Sequence, residues 1–233
     1  MADHHVLLKH GVKEIAARLG KSITFMAKWN SSLAGSSCHL HSSLWDGKSG
    51  EAAGYDKSGP AHMSRRLQQW VAGQLACGRD FSVFYAPYVN SYRRYMAGTF
   101  APTRLVAGMD NRTTGLRLLG HSPKAIRIEN RCPGADANPY LAFAATIAAG
   151  LYGITHELTF EGIYEGDAYR DPSVREVPKS LYEAIRLLEE SKIAREAFGD
   201  VVVDHYVNTA RQEQLVYDRR VTDIDLMRNF ERA

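Results

Sequence analysis

Long apolar runs are missing from this 233-residue chain. No segment approaches the roughly 20 residues that a helix needs to cross a bilayer, and the N-terminal MADHHVLLKHGVKEIAARLG has no signal-peptide core. Cysteine is scarce: Cys38, Cys77 and Cys132 are odd in number and form no CxxC pair. That excludes a disulfide framework and thiolate zinc spacing, and it points to a reducing, cytoplasmic compartment. Strong charge of either sign is also lacking. The net charge of +3 leaves no basic arm for nucleic acid and no lysine-rich patch for a membrane, so neither is expected as a partner. Internal repeats and low-complexity tracts are absent too. What remains is 45% apolar and 24% charged residues, enough for one substantial core.

Periodicity outlines the elements. Leu8, Val12, Ile15 and Leu19 recur at helical spacing and predict an opening surface helix. SITFMAK, residues 22–28, alternates like a half-buried strand, and so does CHLHSSLW, residues 38–45. In the latter, Cys38, Leu40 and Leu44 share one face and His39, His41 and Ser43 the other. The stretch from Asp46 to Pro60 reads as a loop, and Met63, Leu67, Trp70 and Gln74 or Leu75 as a helix. LRLLG and AIRIENRC are strand-like, with Arg127, Glu129 and Arg131 opposite Ile126 and Ile128. Asn138-Pro139 is an N-cap followed by proline at the first helical position, opening a small-residue helix expected to be buried on most sides. Ser180 with Glu183, and Thr222 with Asp225, mark later helix starts. The prediction is one α+β unit, with no βα alternation. Residues 1–165 carry the sheet and site, and residues 166–233 form a helical tail.

Three patches carry chemistry: GSSCHLHSSLW (35–45), NSYRRYMAGTFAPTRLVAGMDNRTTGLR (90–117) and RIENRCPGADANPYLAFAA (127–145). Two imidazoles and a hydroxyl on one strand face can hold a cation beside a phosphate. Arginine forks bind carboxylate and phosphate in bidentate fashion and keep their charge. Taken singly, each pattern also suits a solvated strand face.

Together the patches resemble the catalytic domain of the glutamine synthetase family. The resemblance implies a curved antiparallel sheet with packed helices, and ATP-dependent activation of the glutamate γ-carboxylate followed by attack of an amine. It implies His39 and Glu129 as ligands of Mg²⁺ or Mn²⁺, and His41, Ser43, Arg112, Arg117 and Lys124 along ATP. Gly35, Arg94 and Arg131 would bind glutamate, with Arg112 stabilising the transferring phosphoryl group. Lys124 stands one residue nearer Arg117 than the family's nucleotide lysine does, and Ala34 replaces a common asparagine.

One departure bears on substrate. Ammonia-using members place a glutamate two residues before the loop proline, where this chain has Phe100. A phenyl ring offers ammonium no charge-assisted bond but can pack against a larger amine. The character is therefore that of γ-glutamyl polyamine, ethanolamine or amine ligases. The alternatives are an ammonia-using glutamine synthetase, or a non-catalytic homologue that binds nucleotide or a partner subunit. The resemblance also implies that Met1-Ala2-Asp3 matches a mid-domain segment. The family's other metal carboxylates and its small N-terminal domain precede that point, and its full-length members form ring homo-oligomers. Little or no catalysis is expected from the chain alone.

Overall fold

A short sheet backed by two helices that meet at glycines organises the structure, a computed structural model that describes residues 1–232. Its strands are β1 (Leu40–Ser42), β2 (Arg104–Met109), β3 (Thr114–Leu119) and β4 (Arg127–Asn130), in the order β1-β4-β3-β2. β4 runs antiparallel to both β1 and β3, whereas β2 pairs with β3 in parallel, with a register irregularity between Arg104 and Ala107. The expected α+β class holds, with this one parallel pairing added to the antiparallel pattern.

Leu116, Leu118, Ile126 and Ile128 fill the back of the sheet against α2 (Arg65–Cys77), which contributes Leu67, Trp70 and Val71. Ser64 caps α2 by accepting from the Leu67 amide. Behind α2 lies α5 (Pro139–Thr155), capped by Asn138 with proline at its first turn, as its sequence predicts. The two helices touch backbone to backbone. A methyl group on Gly73 or Gly153 would collide with the facing helix, and Gly150 accommodates the Trp70 ring. Only one face of α5 is buried, however. Tyr140, Ile147 and Leu151 remain about half exposed, because no further layer covers them among the described residues.

A second core unites α3 (Ser82–Tyr85), α4 (Val89–Tyr92) and α5 with the tail helices α6 (Leu181–Glu190), α7 (Lys192–Phe198) and α8 (Asp200–Asp218). Ser180 caps α6, and Thr222 with Asp225 makes a reciprocal capping box on the terminal helix (Asp223–Asn229). The opening helix α1 (Ala2–Arg18) forms, but Leu8 and Ile15 on it, and Leu19 just beyond, stay exposed. The strand predicted at residues 22–28 does not form. Its alternation finds no partner strand, and Ile23 is exposed while Ala27 alone is fully buried. No helix among the described residues is long and apolar enough to cross a membrane.

Candidate active site

Alternation on β1 and β4 brings the charged side chains to the front of the sheet. His41 is directly paired with Glu129, and Glu129 with Arg117 on β3. Leu40 and Ile128 point to the core behind, as period-two geometry requires.

Glu129 is the centre, at 3% exposure. Its Oε1 accepts from His39 Nδ1 at 2.8 Å and from Arg131 Nη1 at 2.7 Å, and its Oε2 accepts from Arg117 Nη1 at 2.9 Å. Burial alone would favour the neutral acid. The His39 bond, the Arg131 charge and the Arg117 bond outweigh it and hold the carboxyl at about 2. Arg117 also grips Asp110, a partner that carries no motif in the sequence.

A cleft of about 460 Å³ opens over this carboxylate, lined by His39, Phe100, Arg112, Arg117, Glu129 and Arg131. Three guanidiniums face Glu129 there, and with Asp110 holding Arg117 from the side one positive charge is left over. Arg112 is exposed and has no ion-pair partner among the described residues, so its charge is free for an incoming anion. Arg131 is committed on both sides, its Nη2 donating to the Phe100 carbonyl at 2.8 Å. Phe100 lies at the rim, 64% exposed, with its backbone in the left-handed region at φ 57°.

Not every residue singled out in the sequence reaches this cleft. Arg94 is 3% exposed and turns inward, donating to the carbonyls of Arg131 and Cys132, with its guanidinium carbon 4.9 Å from the Tyr95 ring centre. Gly35 makes that placement possible, since a Cβ there would stand 2.7 Å from Arg94 Cγ and 2.5 Å from the Ala27 carbonyl. His41 accepts from Arg127 Nε at 3.3 Å, and burial draws its imidazole below the usual value. Ser43 is exposed and accepts from Trp45 Nε1, and Lys124 is exposed; both lie outside the cleft lining.

As a metal site the pair His39 and Glu129 is incomplete. No group of three or more His, Cys, Asp or Glu side chains that would hold a metal ion occurs among the described residues. Both Glu129 oxygens already accept bonds from cationic or imidazole donors. Two donors do not meet the six-coordinate demand of Mg²⁺.

A family model described as glutamine synthetase, catalytic domain, matches residues 1–229. The chain belongs to the glutamine synthetase family. Among curated relatives, the γ-glutamylethanolamide synthetase GlnA4 of Streptomyces coelicolor is 48% identical over 99% of this chain and 48% of its own length. A glutamate–isopropylamine ligase of a Pseudomonas species is 40% identical over 88% of this chain and 45% of its own. The type-1 glutamine synthetase 2 of Dictyostelium discoideum is 42% identical over 99% and 45%. The ligand-free structure of GmaS superposes with a TM-score of 0.88 at 30% identity, covering 99% of this chain and 53% of that one. The chain thus spans about half the length of the glutamine synthetase relatives it matches.

One contributor was beyond sequence reasoning. Tyr169 donates through its hydroxyl to the Ala101 carbonyl at 3.0 Å, next to Phe100. It lies some 70 positions away in the chain and belongs to no motif, so nothing in the linear pattern marks it.

Proposed function

We propose that this chain carries the glutamate- and ATP-binding side of an ATP-dependent glutamate–amine ligase. The observation that carries the reading is the pairing of a cleft in net positive charge with an exposed phenyl ring at its rim. The names of the Streptomyces and Pseudomonas relatives, both of amine-ligase type, support it.

In this reading the γ-carboxylate oxygen of glutamate attacks the terminal phosphorus of ATP, an O–P bond forms and ADP leaves. The amine nitrogen then attacks the acyl carbon, the C–N bond forms, phosphate departs with the C–O electron pair, and the nitrogen releases its proton. Arg112 offsets the charge of the transferring phosphoryl group, being the cleft guanidinium with no carboxylate of its own. Arg117, braced by Glu129 and Asp110, keeps a fixed guanidinium against the nucleotide. Arg131 sets the Phe100 loop through its carbonyl and directs its remaining positive field at the glutamate. His39 and Glu129 would hold a divalent cation only with further ligands added, and such an ion would offset phosphate charge.

Phe100 favours a carbon-bearing amine over ammonia. A carboxylate at this position would offer ammonium a charge-assisted bond worth about 1.5–3 kcal/mol, or roughly ten- to a hundredfold in the ammonia requirement. A ring recovers about 0.8 kcal/mol for each methylene buried against it. The test is phosphate release from ATP with glutamate and either ammonia, methylamine, ethanolamine or a diamine. It uses the native protein, with all the sequence its gene encodes, and its Phe100→Glu variant. The substitution is expected to shift preference toward ammonia; a wild type that prefers ammonia, unaltered by Phe100→Glu, returns the reading to glutamine synthesis. The two-donor metal pair favours a second reading, nucleotide or partner binding without turnover, and the absence of phosphate release with every amine would select it.

A further inference from the structure

The loop that carries Phe100 is held in place by a segment remote in sequence. A left-handed backbone is adopted by an aromatic residue only where its surroundings impose it. Two bonds do so here: Arg131 Nη2 to the Phe100 carbonyl at 2.8 Å, and Tyr169 Oη to the Ala101 carbonyl at 3.0 Å. Tyr169 sits on a 3-10 turn, Ala168–Arg170, that is itself tied to the loop bearing Arg112. The Ala168 amide donates to Thr113 Oγ1 at 3.0 Å, and Asn111 Nδ2 donates to the Gly166 carbonyl at 2.8 Å. Burial raises the Tyr169 phenol above its ordinary value, so it remains a donor through neutral and mildly alkaline pH.

We infer that Tyr169 is a positioning residue for the amine end of the cleft. Through it, the turn at residues 166–170 straps the Phe100 loop to the Arg112 loop and sets how far the ring stands from that guanidinium. The inference rests on the assignment of Phe100 to the amine. It also names the substrate class more closely. A ring held at fixed height rewards a primary amine whose aliphatic stem lies flat on it, and ammonia has nothing to place there.

Tyr169→Phe removes the donor and keeps the ring. In the native protein it is expected to raise KM for the amine roughly three- to tenfold, the effect of one lost hydrogen bond, with kcat and the KM for ATP within about twofold. Phe100→Ala, measured alongside, should raise the same KM. In the Phe100→Ala background, Tyr169→Phe should add nothing, because the ring it positions is gone. An unchanged amine KM in Tyr169→Phe, with Phe100→Ala raising it, overturns the strap and leaves the amine assignment standing. Additive effects in the double variant overturn it too, since they show Tyr169 acting on general stability. No effect of Phe100→Ala removes the amine assignment and the strap together. Hydrogen exchange on the 233-residue chain gives a readout without turnover. The amides of residues 98–101 and of Thr103 should exchange faster in Tyr169→Phe, and unchanged exchange counts against the strap.

Discussion

Replacing Glu129 by glutamine removes one charge, keeps the side chain's shape, and tests whether the front of the sheet is an electrostatic keystone. The carboxyl sits at about 2 against an ordinary 4.5. At about 1.36 kcal/mol per unit that corresponds to about 3 kcal/mol of folding stability at neutral pH. Breaking a buried ion pair on one side costs about 3–5 kcal/mol, because Arg131 loses its carboxylate while Arg117 keeps Asp110, so the loss falls at the lower end, near 3. For a chain of this size, each kcal/mol moves the midpoint by about 2–4 °C, so Glu129→Gln should melt roughly 6–12 °C below wild type at pH 7. The folded-state value is depressed, so the contribution is fully present above pH 4.5 and is lost as pH falls toward 2. The gap between the two proteins should therefore close over that window. Thermal melts followed by circular dichroism, at steps from pH 7 to pH 2.5, measure it. Equal stability at pH 7, or a gap that stays constant from pH 5 to 2.5, refutes the reasoning.

Gly35→Ala should destabilise by about 1–3 kcal/mol, read from the urea midpoint, since the added methyl meets the Ala27 carbonyl and the buried stem of Arg94. An unchanged midpoint would mean that Arg94 is not held as described. Arg112→Gln should leave stability within about 0.5 kcal/mol, because the side chain is exposed and unpaired among the described residues. The same variant should bind ATP more weakly than wild type by isothermal titration, and unaltered binding would take Arg112 out of the nucleotide site.

The parts of this molecule legible in its sequence are those written in local chemistry. Asn138-Pro139, Ser180 and Thr222 with Asp225 mark helix starts through bonds spanning two or three residues, and each appears where expected. The faces of β4 and of the segment leading into β1 follow from period two, and that alternation sets His39 beside Glu129. What failed depends on partners. SITFMAK alternates as well as CHLHSSLW does, yet no strand lies beside it, whereas β2, less regular and interrupted by Gly108, pairs with β3. Arg94 looks like any cleft arginine in the linear pattern. Its inward turn is decided by the carbonyls of residues 131 and 132, nearly 40 positions away.

The hold on Phe100 has an evolutionary corollary. Arg131 grips residue 100 by its carbonyl oxygen, an atom every amino acid possesses, while the side chain projects into solvent. Position 100 is thus a socket whose fitting does not depend on what is plugged into it. The left-handed φ excludes β-branched residues and accepts asparagine or glycine with ease. The side chain at this exposed rim can then be exchanged while the charged floor and the glycine-paired helices beneath it stay as they are.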